Sequence, residues 1–134
     1  VSATGADEAV FQFDIDLAEF SLNEGFIFEV SGLFAANSNT KTLKLVVDGN
    51  TTVTNATTTA PNNDYFVARV TVLKANKYAM SNGYILLEGI AADTYGSMDV
   101  NLDWNSIITV SATANAATAI TDIQIQAAYI QPLK

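Results

Sequence analysis

The sequence predicts an all-β fold, a two-sheet antiparallel β-sandwich of jelly-roll-like type. Apolar residues recur at every second position in run after run, the period of a half-buried strand. Clusters of Asn, Asp and Gly separate these runs at the spacing of turns, and no segment carries the 3.6-residue period over a helix of useful length. All 134 residues fit one domain, because two halves would each bury too little core.

Residues 1–9 lack alternation and read as a flexible N-terminal arm ahead of a single sandwich domain over residues 10–134. Phe11, Phe13, Ile15 and Leu17 then point one way and Gln12, Asp14, Asp16 and Ala18 the other, which predicts the first strand. After the turn signal Asn23-Glu24-Gly25, a second strand sets Phe26, Phe28, Val30 and Phe34 in register, with Gly32 as a bulge or point of close approach.

Residues 35–40 are polar enough for a loop. Leu43, Leu45 and Val47 alternate with Lys44, Val46 and Asp48, and Asp48-Gly49-Asn50 predicts a tight hairpin, because its turn needs the positive φ that Gly, Asp and Asn tolerate. Residues 56–64, with Pro61, read as a long loop, and residues 65–73 as a central strand rich in β-branched and aromatic side chains. Ser81-Asn82-Gly83 reads as a turn before the apolar run 84–87. Met98, Val100, Leu102 and Trp104 predict one more one-sided strand, and residues 107–113 and 123–130 close the chain around a small-residue loop at 114–121. The total is about eight or nine strands, and long connections at 35–40, 56–64 and 90–97 favour a jelly roll over an up-and-down barrel with uniformly tight hairpins.

Composition narrows function. With 49% hydrophobic and 15% charged residues the chain is too apolar for intrinsic disorder. It contains neither Cys nor His, which removes disulfides, thiol nucleophiles, the usual zinc ligands and Ser-His-Asp or Cys-His catalysis. Fourteen acidic against six basic residues give a net charge of −8 and a pI near 4.1, so no nucleic acid partner is expected. No apolar run reaches the roughly 20 residues that cross a bilayer, so no membrane partner is expected either.

The remaining motifs are weak. Asp99, Asn101 and Asp103 open like a calcium loop, but Trp104 and Val110 stand where that loop needs Gly and a bidentate Glu, so no metal is expected. Asp14 with Asp16, or Asp99 with Asp103, supply carboxylate pairs, yet glycoside hydrolysis needs one of the two desolvated, and these sit among polar neighbours. Trp104, Tyr95 and Tyr84 have the rings that stack on sugars. Trp104 continues the apolar phase and reads as core, leaving Tyr95, beside Gly96, as the exposed candidate. Asn50-Thr51-Thr52 and Asn55-Ala56-Thr57 fit the glycosylation pattern, which Thr- and Asn-rich loops generate by chance. No catalytic residue and no cofactor are expected, and the chain reads as a non-enzyme.

One surplus remains. Ile27, Leu33, Val46, Val67, Leu73, Ile107 and Ile130 fall out of phase with the core set, either because a central strand is buried on both sides or because another protein covers them. Ile27, Leu33, Val46, Val67, Leu73 and Tyr95 are the candidate contacts with a subunit or another partner protein. Acidic residues from Asp7 to Glu29 precede the first base, Lys41, while Lys41, Lys44, Arg69, Lys74 and Lys77 lie mid-chain. That split suits steering between subunits as well as ordinary solvated faces.

Residues 31–45, SGLFAANSNTKTLKL, followed by a Gly-containing hairpin, resemble a recurring stretch in small jelly-roll structural domains of tailed bacteriophages. Residues 105–113 and 121–127 are similar to the final strand pair of those domains. The resemblance covers less than half the chain. It implies a non-enzymatic virion protein on the outer capsid surface: a cement or decoration subunit, a homotrimer, bridging copies of the major capsid protein. The alternative it implies is a tail-fibre or head-fibre tip that binds a receptor or glycan.

Overall fold

The computed structural model describes residues 8–57, 64–75, 78–87, 96–100, 102–116 and 122–134. They form two antiparallel sheets around one core. The strands are β1 (Glu8–Asp16), β2 (Gly25–Phe34), β3 (Lys41–Val47), β4 (Asn50–Thr57), β5 (Asp64–Ala75), β6 (Tyr78–Leu87), β7 (Gly96–Val100), β8 (Ile107–Ala116) and β9 (Ile123–Leu133). One sheet has the order β1-β8-β3-β4, the other β7-β6-β5-β2-β9. The chain changes sheet at β1 to β2, β2 to β3, β4 to β5, β7 to β8 and β8 to β9, so the two sheets are built together. Between them β4 lies over β5, β6 and β7, β3 over β5, and β8 over β9.

The inner faces follow the alternation read from the sequence. Phe26, Phe28, Val30 and Phe34 of β2, Leu43, Leu45 and Val47 of β3, and Phe66, Ala68, Val70 and Val72 of β5 are all buried. Each such side chain contributes roughly 1.5–3 kcal/mol when fully removed from water. Phe34 stacks on Phe66 with ring centroids 4.6 Å apart, which ties β2 to β5 through their side chains as well as their backbones.

Two turns behave as their residues dictate. Asp48 (φ 48°) and Gly49 (φ 77°) form a two-residue loop with both central residues at positive φ, the geometry whose twist matches the flanking strands. At Gly32 the pairing of β2 with β9 shifts register. A Cβ there would collide with the carbonyl oxygen of Gln124 and press on the Phe66 ring, so only glycine lets the two backbones approach.

Several expectations need correction. Glu8 and Ala9, read as part of the arm, already pair with Ala114 and Thr113 in β1, while residues 1–7 lie outside the described residues. Leu17, read as the end of a strand, begins the 3-10 helix Leu17–Glu19, because Asp16 turns its carboxylate onto the Ala18 amide at 3.0 Å. Ser81, Asn82 and Gly83 are not a turn: they sit within β6, paired to β5 on one side and β7 on the other, and two-sided pairing overrides their turn preference. Leu102 and Trp104 do not extend β7. They lie in a turn where Asp103 accepts a hydrogen bond from the Asn105 amide at 3.0 Å, and both side chains are nevertheless buried. Ala114–116 continue β8 instead of starting a loop.

Candidate functional site

The outer faces of the two sheets differ in chemistry. On the four-stranded sheet, register places Gln12, Ser111 and Val46 in one row, Asp14 and Thr109 in the next, and Thr113 with Lys44 beyond. Asp14 accepts a hydrogen bond from the Thr109 hydroxyl at 2.7 Å. Hydroxyls, amides and charges dominate this wall, as expected for a surface facing water.

The five-stranded sheet presents a different wall. Along β9, β2 and β5 its outer rows run Leu133, Gly25, Leu73; Gln131, Ile27, Thr71; Tyr129, Glu29, Arg69; Ala127, Ser31, Val67; and Gln124, Leu33, Tyr65. Ile27, Leu33, Val67 and Leu73 are half-buried by their neighbours, and Tyr65 and Tyr129 are 54% and 42% exposed. Gln131, Thr71, Ser31 and Gln124 stand among these residues, and one ion pair lies near the middle: Arg69 Nε donates to Glu29 Oε2 at 2.6 Å, a cross-strand pair between β5 and β2. Aliphatic and tyrosine side chains mixed with Gln124, Gln131, Thr71 and Ser31 around a cross-strand charge pair make a wall suited to contact with another surface.

Of the contact residues read from the sequence, four therefore come together on this wall: Ile27, Leu33, Val67 and Leu73. Val46 is separated from them, on the polar outer face of the other sheet. Tyr95 lies outside the described residues. Ile107 is 69% exposed at the end of β8, opposite Asp16. Ile130 is not an outer-face residue at all: it pairs with the buried Phe28 and packs against the core, because the irregularity between β2 and β9 changes the phase of the last strand. Tyr65 and Tyr129 were missed by the sequence reading. They lie in phase with outer-face neighbours, and an aromatic residue in a strand carries no sign of which face it takes.

The motif residues of the resemblance have a structural role. Lys41 is fully buried in the core phase of β3, ahead of Leu43. Its ammonium donates to Asn37 Oδ1 at 2.7 Å, to the Asn39 carbonyl at 2.9 Å and to the Asn37 carbonyl at 3.3 Å. The two amides then reach Asp122, also fully buried: Asn37 Nδ2 donates to Oδ1 at 2.6 Å and Asn39 Nδ2 to Oδ2 at 2.9 Å. A buried cation and anion are thus joined through two asparagines, tying the β2–β3 loop to the start of β9. Such a network stays in the interior only when each polar group is matched.

This arrangement corrects the reading of Lys41 as part of a basic region available to a partner. Arg69 is likewise engaged with Glu29, and Lys74 donates to the Phe20 carbonyl at 3.1 Å and sits over the Trp104 ring. Trp104 is 7% exposed and belongs to the core, as expected, although it reaches the core from a turn and not as a continuation of β7. The carboxylates proposed as pairs have local duties: Asp14 binds Thr109, Asp16 caps the 3-10 helix and Asp103 closes a turn. Asp99 lies in β7, and residue 101 is outside the described residues. Among the described residues no three acidic side chains gather in a metal-binding group.

No known family matches the chain, and no curated protein matches it. Among solved structures, it is similar to sheep galectin-11 in complex with glycerol, at 7% sequence identity over 90% of this chain and 96% of that one, with a TM-score of 0.41.

Proposed function

We propose that this chain is a non-enzymatic structural protein of a tailed-bacteriophage virion, a homotrimeric cement subunit of jelly-roll type on the outer capsid surface. It bridges copies of the major capsid protein and stabilises the shell. The observation that carries this reading is the contrast between the two outer walls, one mainly polar and one richer in apolar and aromatic groups, with Ile27, Leu33, Val67, Leu73, Tyr65 and Tyr129 around an ion pair. The frequent passage between sheets fits the jelly-roll type, and the motif of residues 31–45 supports the phage assignment. A subunit that binds the assembled shell and not its dissociated parts shifts the equilibrium toward the intact particle by mass action.

The test is to mix the purified chain with bare phage shells and follow co-sedimentation and the melting temperature of the particle. Wild type is expected to bind and raise that temperature, and Leu33→Glu combined with Val67→Glu to lose both effects while remaining folded. Failure of the wild-type chain to bind any shell offered, or binding unaffected by the double variant, overturns the reading.

A second reading is a fibre tip that recognises a glycan, favoured by the exposed rings of Tyr65 and Tyr129 on the same wall. Glycan binding abolished by Tyr65→Ala, with no affinity for shells, decides in its favour.

A further inference from the structure

The sandwich is closed unevenly along its sides. β1 is the last strand of its sheet and lies beyond β8, which itself faces the last strand of the opposite sheet, β9. The inward face of β1 therefore overhangs at Phe13, although Ile15 further along the same face is buried. Phe13 shows this most clearly: it pairs with the fully buried Val110 and points the same way, yet it is 50% exposed. Among the described residues, the partly buried apolar ones that border the core are Val10 and Phe11 of β1 and Ile125, Ala128 and Ile130 of β9, all from these two edge strands. Phe11 reaches inward to stack on Phe28 at 5.7 Å, whereas Phe13 is left at the opening.

We infer that this open seam between β1 and β9 is the contact through which a second copy of the chain associates. Two features select that occupant. The first is size. The nine residues of β1 span about 30 Å, and two sheets about 10 Å apart with their strand edges give a side wall about 20 Å wide. That is roughly 600 Å² per copy and about 1,200 Å² for a pair, the lower bound for a specific stable interface.

The second feature is charge. A chain of net charge −8 repels its own copy over most of its surface. β9 has no charged residue from Ile123 to Leu133, and Asp14 and Asp16 of β1 are turned outward to Thr109 and the 3-10 helix. Glu8, at the far end of β1, is engaged within the chain. Copies can therefore meet at this seam without opposing acids. Among the described residues β9 pairs only with β2, so its other edge has a row of backbone groups that a neighbouring copy satisfies.

The inference rests on the part of the proposed reading in which copies of the chain associate, and it stands whether or not the outer wall docks on a capsid. Sedimentation equilibrium of the full chain tests it, comparing wild type, Phe13→Asp, Phe13→Ser and Tyr65→Asp, with circular dichroism to confirm that each is folded. Wild type is expected to self-associate at micromolar concentration. Either Phe13 variant should raise the dissociation constant about 30-fold or more, the loss expected for a buried aromatic anchor. Tyr65→Asp, on the outer wall, should leave it unchanged. A wild-type chain that stays monomeric, including one whose own N-terminal residues cover the seam, overturns the inference. So does association that survives both Phe13 variants, or that Tyr65→Asp abolishes.

Discussion

Asn37 donates its side-chain amide to Asp122 Oδ1 at 2.6 Å although the two residues lie 85 positions apart. The bond closes the end of the sandwich where β2 leaves one sheet and β9 enters it, and its strength depends on Lys41 holding Asn37 from the other side. Removing Asp122 takes the anion out of a buried network and leaves the Asn37 and Asn39 amides without their acceptor. Asp122→Ala should therefore cost about 3 kcal/mol or more, since breaking a buried charge network is the expensive outcome. Thermal unfolding measures it, and the expected fall in Tm is about 10 °C. The double variant Lys41→Met with Asp122→Leu should be less destabilised than the sum of the two single changes, because it removes both charges together.

Gly32 and Gly49 should respond differently to alanine. At Gly32 a Cβ meets the Gln124 carbonyl and the Phe66 ring, so Gly32→Ala must separate β2 from β9 and should cost several kcal/mol in chemical denaturation. At Gly49 the space is open and only the positive φ resists, so Gly49→Ala should cost about 1 kcal/mol. Equal losses at the two positions would contradict the packing described for β2 and β9.

The Glu29–Arg69 pair lies on a partly solvated wall, with the Arg69 side chain 36% and that of Glu29 14% exposed. Exchanging Glu29 for Gln should change stability by less than about 1 kcal/mol. It should nevertheless alter docking, because it removes the negative member of the cross-strand pair from the centre of the wall and makes the wall more positive. Parallel melting and shell-binding measurements separate the two effects.

Trp104 is the only tryptophan and lies buried beneath Lys74. Its fluorescence should be blue-shifted in the native state and move to the red in a single transition that coincides with loss of the β signal in circular dichroism. Trp104→Ala should cost about 3–5 kcal/mol through the cavity it leaves. Trp104→Phe should cost much less, since Nε1 has no protein hydrogen-bond partner among the described residues to lose.

Much of the fold was legible because a strand writes its burial into every second residue. Phe26, Phe28 and Val30, or Leu43, Leu45 and Val47, declare their inner face without reference to any neighbour, and Asp48-Gly49 declares its turn through φ alone. Ser81-Asn82-Gly83 was misread because the same local preference is overruled once strands pair on both sides. Lys41 was misread for a related reason: a lysine in the core phase is admitted only when its donors are satisfied, and the nearby Asn37 and Asn39 that accept from it are themselves held by Asp122, which only the fold brings to them.

The candidate surface shows the same division. Alternation singled out Ile27, Leu33, Val67 and Leu73 as surplus apolar residues, but it could not say that these share one wall and that Val46 belongs to the other. It assigned Phe13 to the inner face correctly and its burial wrongly. Which way a side chain points is set within its own strand, by the two-residue period of the backbone. Whether anything lies opposite depends on the order in which strands from distant parts of the chain pair and stack, and that order leaves β1 overhanging at the edge.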